Sequence, residues 1–268
     1  MSGSRKHNVL GVGIDAVSRA MAVAGIVEAA RERRAMAVSA LAVHGVMTGV
    51  LDSEHRYRLN HLDLVVPDGQ PVRWALNVLH RANLSERVYG PDLMLDVCAE
   101  AARHGLPVYF YGSRRDTLAA LERNLTSRFP GLIVAGAQPS RFRTISDDER
   151  RAVVAEIENA GASIVFIGLG CPRQEVWAYE YRQSLRMPLI AVGAAFDFHA
   201  GNLKRAPAAM QRVGLEWLYR LVQEPRRLWR RYLLLNPSYL TLLLAQALRL
   251  RRFDVDSAKR PTHEVSYG

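Results

Sequence analysis

The sequence predicts an α/β protein with a mostly parallel sheet that is flanked by helices. Two observations indicate this class. Short apolar runs alternate with amphipathic helical patterns, and the runs lack a polar face, as expected for strands that are covered on both sides. The runs that predict strands span residues 37–43, 62–66, 107–112, 132–137, 163–170 and 188–194. We interpret this alternation as a doubly wound, Rossmann-like sheet.

Four helices are predicted between these strands, because apolar residues recur there at a spacing of three to four. They cover residues 91–105, 115–131, 146–161 and 174–185. Several of them end at glycine, which adopts the left-handed conformation that is common just beyond a helix. The third has Ser146 at its start and Glu149 three residues later, which predicts a capping box.

The composition divides the chain into three parts, and 268 residues with 49% hydrophobic content are enough to bury a sizeable core. We expect a core over residues 1–203, a basic helical appendage over 204–252, and a polar, disordered tail over 253–268. Cys98 and Cys171 form no C-x-x-C pair, so neither a disulfide framework nor a zinc site is indicated. Residues 1–13 lack the apolar stretch of a secretory signal, and we expect a protein that is not exported.

The positive charge is concentrated in the appendage. It holds 11 basic and two acidic residues, and therefore carries +9 of the net charge of +10. A local anionic partner is expected. Its uncharged run, residues 232–248, is broken by Asn-Pro-Ser at 236–238 and is shorter than the roughly 20 apolar residues of a membrane span. We expect helices that lie on an anionic lipid surface, while packing on the core or an oligomer interface explains residues 240–248 equally well.

Polar and glycine-rich segments follow several of the predicted strands. Asp68, the pair Gly112 and Ser113, and the segment 168–174 each come directly after one. Ligands of doubly wound sheets bind beyond the carboxyl ends of the strands, so these residues are expected to line one crevice. The alternative for Asp68 is a turn or helix-capping acid, and for the glycines a tight turn between strand and helix.

Several functional classes are disfavoured by missing motifs. The sequence contains no complete G-x-G-x-x-G, no Walker A motif and no H-E-x-x-H, which argues against a dinucleotide-dependent oxidoreductase. A D-x-D occurs at Asp254 and Asp256, but it lies in the polar tail, where we interpret it as solvated. We expect no metal and no cofactor. A nucleic-acid-binding module would explain the basic segment but not the neutral core, so no nucleic-acid partner is expected.

Six blocks along the chain carry a resemblance to a known family. They are VVPDG (65–69), RVYGPDL (87–93), FYGS (110–113), GLGCPRQE (168–175), VGAAFDFHAGNLKRAP (192–207) and GLEWLYRLVQEPRRLWRRY (214–232). In content and order they resemble the WecG/TagA/CpsF glycosyltransferase family, glycosyltransferase family 26, over residues 9–239. The resemblance implies a fold of the GT-E type, with a catalytic core and an appendage that completes the active site.

The resemblance also implies an activity. Members of this family transfer a hexose-type sugar, with inversion and without a metal, from a UDP-sugar to a polyprenyl-diphosphate-linked saccharide. They act peripherally at the cytoplasmic face of the cell membrane, in the synthesis of exopolysaccharide, common antigen or teichoic acid linkage units. A catalytically inactive, nucleotide-sugar-binding scaffold of a polysaccharide assembly complex is the alternative. The sugar, the acceptor and the oligomeric state stay open, a homo-oligomer included.

The matched positions imply roles for individual residues. Asp68 corresponds to the proposed catalytic base. The implied substrate-binding residues are Gly69, Arg87, Gly90, Asp92, Gly112, Ser113, Gly168, Gly170, Gln174, Arg220, Arg227 and Arg230. Without a metal, arginines and helix N-terminal amides would balance the charge of the departing UDP. A surface ion pair is the alternative for Arg87, and a polar residue in the first turn of a helix is the alternative for Gln174.

One departure from the family pattern lies on the strand before the VVPDG block. The family often has Thr-x-Asn there, whereas this chain has Ala40 and Ala42. Ser39 and His44 are the candidates for taking over the role of the threonine, although a lone histidine is more often structural. We interpret the change as a sign of a different sugar or acceptor.

Overall fold

The computed structural model describes residues 6–268, apart from the side chain of Arg231. The strands are β1 (His7–Val9), β2 (Val12–Ile14), β3 (Met36–Leu41), β4 (Leu64–Pro67), β5 (Val108–Gly112), β6 (Val134–Gln138), β7 (Ile164–Gly168) and β8 (Pro188–Ala191). A central sheet has the strand order β4-β3-β8-β7-β5-β6, with every neighbouring pair parallel. The α/β, Rossmann-like class that the sequence predicts is confirmed.

Helices cover both faces of this sheet. They are α1 (Arg19–Arg31), α2 (Val43–Leu51), α3 (Ser53–Asn60), α4 (Gln70–His80), α5 (Gly90–His104), α6 (Arg115–Arg128), α7 (Asp147–Asn159), α8 (Arg173–Tyr181), α9 (Ala195–Ala200), α10 (Ala208–Arg212), α11 (Glu216–Gln223) and α12 (Pro225–Ala247). One layer contains α1, α5, α6 and α9, and the other contains α2, α3, α4, α7 and α8. The predicted capping box of Ser146 and Glu149 is formed at the start of α7.

Strand β3 shows how the sequence positions the site between these layers. Side chains alternate along a strand, so neighbours face opposite layers. Ala37 and Leu41 pack in the α2–α3–α8 layer, whereas Val38 and Ala40 pack in the α1–α5 layer. Ser39, completely buried, donates a hydrogen bond to Glu175 of α8. Strand β3 therefore separates the side of the sheet that Ala40 faces, covered by α1 and α5, from the side that Ser39 faces, covered by α8.

The appendage is helical, as predicted, but its long helix differs from the expectation. The predicted break at residues 236–238 is wrong, because α12 continues through Pro237. A proline inside a helix typically costs about 3 kcal/mol, since a backbone hydrogen bond is lost. Burial offsets this cost: Tyr239 is 1% exposed and its hydroxyl donates to the backbone of Pro71. Among residues 6–268, no helix is both long and apolar enough to cross a membrane.

Over residues 240–248, α12 packs one face against the core and leaves the other face exposed. Leu242 and Leu243 pack against the core, whereas Leu240, Leu244 and Leu248 are exposed. The end of the helix is also tied to the beginning of the chain. The side-chain amide of Gln246 accepts a hydrogen bond from the backbone of Leu10 and donates one to Asn8, in the β1–β2 hairpin.

The tail over 253–268 differs from the disordered segment that the sequence predicts. The backbone amides of Val265 and Ser266 both donate to the carboxylate of Glu180, at 2.8 and 2.9 Å. Tyr267 forms a β-bridge with Thr144. In the structure the tail is attached to the core by these backbone hydrogen bonds and by Phe253, which packs against the hydrophobic core.

Candidate active site

Asp68 lies immediately after β4, at the carboxyl edge of the sheet. Its backbone amide donates to Leu41 at the end of β3, and its carboxylate Oδ1 accepts a hydrogen bond of 2.9 Å from the amide of Gly90. Gly90 is the first residue of α5, so this amide is one that the helix itself leaves without a partner. A side chain at Gly90 would crowd Ala40 and the Val192 carbonyl, at 3.3 and 3.4 Å. Two strands and a helix N-terminus therefore converge on the carboxylate.

The environment of Asp68 makes it more basic than an ordinary aspartate. Burial raises its pKa to about 6, against the opposing influence of the Arg87 charge and the Gly90 hydrogen bond. The Glu216 carboxylate raises the pKa further, and Arg220 lowers it. A group with this pKa is mostly ionised at neutral pH yet still accepts a proton, which is the property that a general base requires.

Arg87, Tyr89 and Glu216 form a compact group beside Asp68. The Arg87 guanidinium forms an ion pair with Glu216, and both side chains are about nine-tenths buried. The Tyr89 hydroxyl donates to the other oxygen of Glu216, and the Arg87 guanidinium lies 4.2 Å from the centre of the Tyr89 ring. Glu216 is the first residue of α11, so this group joins the appendage to the core. The ion-pair interpretation of Arg87 is correct, but the pair is largely buried rather than on the surface.

Two more arginines surround the same aromatic side chains. Arg220 lies 5.4 Å from the centre of the Phe198 ring, and Phe198 meets Tyr89 edge to face. Arg205 lies 5.3 Å from the Tyr89 ring. Arginines held on aromatic faces keep their positive charge while their apolar surface is covered. The charge of Arg220 also acts on Asp68, so Arg220 borders the same site as Arg87.

Gln174 is held by the turn between β7 and α8. Its side-chain oxygen accepts from the amide of Gly170 at 3.2 Å, and its nitrogen donates to Glu175 at 2.8 Å. A side chain at Gly193 would approach the Gln174 amide to 3.4 Å, so glycine leaves room here. Gln174 is 3% exposed and thus has a fixed orientation. In this structure its hydrogen bonds stabilise the turn, which agrees with its alternative as a first-turn polar residue.

Other residues singled out in the sequence have packing partners of their own. Gly112 has a φ of +110° and its missing side chain would collide with the backbone of Gly168. A side chain at Gly168 would in turn overlap the ring of Phe196. Ser113 follows with a φ of +59°. These contacts explain the glycines as a close approach of β5, β7 and α9.

The charged residues in the prediction separate into two groups. Asp92 forms ion pairs with Arg19 and Arg205, and through Arg205 it borders the Tyr89 ring. Arg227 pairs with Glu224 and Arg230 lies over Trp229, both of them exposed. The structure therefore brings Arg87, Gly69, Gly90 and Arg220 to Asp68, but it directs Arg227 and Arg230 to neighbours on their own helix or its cap.

Four residues of this site were missed from sequence: Tyr89, Phe198, Arg205 and Glu216. All lie inside the blocks quoted above, yet a block does not indicate that Glu216 pairs with a residue 129 positions away. Ser39, one candidate replacement for the family threonine, is buried against Glu175 and faces away from Ala40. That contact argues against Ser39 in this role.

The fold and the site define the class first: a doubly wound α/β protein that gathers an acid and several arginines at the carboxyl edge of its sheet. Within this class, the chain belongs to the glycosyl transferase WecG/TagA/CpsF family, whose model matches residues 7–253.

Two curated relatives are both named N-acetylglucosaminyldiphosphoundecaprenol N-acetyl-beta-D-mannosaminyltransferase. The protein from Bacillus spizizenii is 32% identical over 187 residues, which cover 69% of this chain and 70% of that protein. The protein from Bacillus subtilis (strain 168) is 28% identical over 217 residues, which cover 81% and 82% respectively. The predicted family membership is confirmed.

Proposed function

We propose that this glycosyltransferase moves a hexose-type sugar from a UDP-sugar to a saccharide linked to a polyprenyl diphosphate, with inversion at the anomeric carbon. The observation that carries the proposal is the half-buried Asp68, whose pKa is raised to about 6 near Arg87 and Arg220. The two named relatives act on a sugar linked to diphosphoundecaprenol, which supports an acceptor of that class. The product would enter the synthesis of exopolysaccharide, common antigen or a teichoic acid linkage unit.

In the proposed reaction Asp68 is the general base. Its carboxylate takes the proton of the acceptor hydroxyl while that oxygen forms the new bond to the anomeric carbon. The bond between that carbon and the UDP oxygen breaks, and UDP leaves with the electron pair. The hydrogen bond from Gly90 holds the carboxylate in place, and Asp68 afterwards returns its proton to water.

Arg87 and Arg220 would balance the negative charge of the departing UDP. An arginine presents a planar fork of donors that matches a diphosphate. Both side chains are engaged with acids here, Arg87 with Glu216 and Arg220 with Glu224. The donor diphosphate therefore competes with these acids for the arginines. We propose no metal and no cofactor for the transfer, because Arg87 and Arg220 would supply the positive charge that a cation otherwise brings to the diphosphate.

We also propose peripheral attachment to the cytoplasmic face of the membrane, and the surface of the appendage supports it. Val222, Trp229, Leu233 and Leu234 are exposed apolar side chains on α11 and α12. They lie on the same two helices as three exposed arginines, Arg226, Arg227 and Arg230. Apolar side chains that enter the headgroup boundary, together with arginines that meet anionic lipid, are typical of helices lying on a membrane. Docking would bring Arg227 and Arg230 to the diphosphate of a lipid-linked acceptor.

The proposal is tested by offering the full-length protein a panel of UDP-sugars with a prenyl-diphosphate-linked saccharide in anionic vesicles. Mass spectrometry of the lipid fraction should detect an acceptor that has gained one sugar, and one molecule of UDP should appear for each. The matched control, Asp68→Asn, should bind the donor but form little product. A donor that binds without any transfer in the wild type would favour the scaffold alternative. Release of UDP without a glycosylated lipid would contradict the proposed acceptor.

A further inference from the structure

A second cluster of chemically active side chains lies behind strand β3. It consists of His55 on α3, Cys171 in the connection between β7 and α8, and Glu175 on α8. One nitrogen, one sulfur and one oxygen atom of these side chains lie within 4.8 Å of one another. His55 and Glu175 are each 1% exposed and Cys171 is partly exposed, so the cluster lies at the boundary of the interior.

The polar atoms in this cluster are incompletely satisfied. Neither ring nitrogen of His55 has a hydrogen-bond partner, and neither does Oε2 of Glu175. The other oxygen of Glu175 accepts hydrogen bonds from Ser39 at 3.2 Å and from Gln174 at 2.8 Å. Buried polar atoms without partners are rare and destabilising, and each one calls for an explanation. Two of the three side chains in this cluster therefore have polar atoms that a ligand would satisfy.

We propose that His55, Cys171 and Glu175 bind a divalent transition metal ion, with Zn²⁺ as the best match. Imidazole, thiolate and carboxylate together are ligands that zinc accepts, and the thiolate disfavours Mg²⁺ and Ca²⁺. Zinc bonds of about 2.0–2.3 Å require the three ligand atoms to close around the ion by about an ångström. Three protein ligands leave a fourth position for water.

Binding requires a change of protonation at Cys171. Its thiol hydrogen-bonds to the Glu175 carboxylate, and the ion replaces that proton. The sulfur then bonds to the metal as a thiolate, and one proton leaves to the solvent. The hydrogen bonds from Ser39 and Gln174 would orient the carboxylate from outside, as partners of metal ligands commonly do.

The location indicates a structural and positioning role, separate from sugar transfer. Ser39 faces this cluster, whereas Ala40 faces the side of β3 on which Gly90 and Asp68 meet. The ion would therefore lie on the opposite side of the strand from Asp68. It would join α3 to α8 and fix Glu175, which in turn holds Gln174.

The test uses Co²⁺ as a spectroscopic probe for the full-length protein after removal of bound metal by a chelator. One equivalent of Co²⁺ should produce a thiolate-to-cobalt charge-transfer band, and Zn²⁺ should abolish that band by displacing the cobalt. Cys171→Ala should lose the band and bind Zn²⁺ more weakly, by more than the roughly 10–100-fold that follows loss of a partner outside the ligand set. Cys98→Ala is the control, because Cys98 is also a free cysteine but is buried in the opposite layer. It should keep the band.

A cooperative thermal transition will establish that each variant is folded, and His55→Gln provides a second ligand variant. If the wild-type protein binds neither Co²⁺ nor Zn²⁺, the inference is overturned. A buried water would then be the explanation for the unsatisfied polar atoms of the cluster. A band that survives in Cys171→Ala would overturn it as well. These readouts do not involve sugar transfer, so they are independent of the fate of the proposed reaction.

Discussion

Arg87 and Glu216 form a largely buried ion pair that links the core to the appendage beside Asp68. The two members of the pair act on Asp68 in opposite directions: the positive charge of Arg87 lowers the pKa of Asp68, and the negative charge of Glu216 raises it. The appendage therefore takes part in setting the basicity of the proposed catalytic base. Substitution of either member should change the pH dependence of sugar transfer in a predictable direction.

Glu216→Gln should move the acidic limb of the pH profile of kcat/KM to lower pH. Removal of a like charge lowers the pKa of Asp68, so the carboxylate stays ionised in more acidic solution. Tyr89→Phe is the control, because it deletes a hydrogen bond to Glu216 and changes no charge. The limb of that variant should move less. If the acidic limb of Glu216→Gln lies at or above the wild-type pH, Glu216 does not raise the pKa of Asp68.

Arg87→Gln should move the same limb to higher pH, because the charge that favours ionised Asp68 is lost. It should also raise the KM for the UDP-sugar by about tenfold or more, the usual scale for a lost hydrogen bond to a charged group. Arg87→Lys keeps the positive charge but lacks the planar fork of donors. Its acidic limb should therefore stay near the wild-type pH, whereas its KM for the UDP-sugar should remain raised. A limb that moves to lower pH in Arg87→Gln would contradict the assignment.

Asp68→Asn should lower turnover by about 10² or more while donor binding is largely kept.

The same substitution should stabilise the fold at neutral pH. The pKa of Asp68 is raised on folding, so its ionisation costs stability as the pH rises from about 4 to 6, and above that the full cost is present. The gain should be about 1–2 kcal/mol at pH 7 and vanish near pH 4, as measured by urea unfolding. Equal stability at both pH values would indicate that Asp68 has an ordinary pKa.

Sugar transfer should not depend on Mg²⁺ or Mn²⁺. Arginines, rather than a hydrated cation, are proposed to balance the charge of UDP, so product formation after chelation should not rise on addition of either ion. The initial rate with lipid-linked acceptor is the measurement. The chelator would also remove a Zn²⁺ ion bound by His55, Cys171 and Glu175. A separate sample therefore receives Zn²⁺ after chelation. Activity that returns with Mg²⁺ or Mn²⁺ alone would refute the proposed mechanism.

The double variant Trp229→Glu, Leu233→Glu should reduce binding to anionic vesicles more than about tenfold. The two positions are four residues apart and therefore share one face of α12, and each loses an apolar side chain while gaining a negative charge. Ile133→Glu is the control for placing a negative charge at a single exposed apolar position, here just before β6. Vesicle pelleting of folded protein measures the difference. Similar pelleting of both variants would show that α12 does not contact the membrane.

Five of the six strands of the sheet are buried on both faces and thus appear as continuous apolar runs, which is why they could be predicted, whereas the edge strand β6 is only partly buried. The hairpin of β1 and β2 could not be predicted, since three-residue strands leave no periodicity to detect. The position of Asp68 at the carboxyl edge of the sheet followed from its place directly after a predicted strand. Its elevated pKa did not, because that value depends on the burial and on Glu216, a residue that only the folded appendage brings near.

The link from Gln246 to Asn8 and Leu10 has a consequence for the order of folding. Asn8 also donates a hydrogen bond to the backbone of Phe253. Gln246 and Phe253 are therefore synthesised long after the β1–β2 hairpin that they contact. Contacts between residues so distant in sequence close large loops and form late. We expect amide protons of the β1–β2 hairpin to gain protection from hydrogen exchange together with the end of α12, after the central sheet.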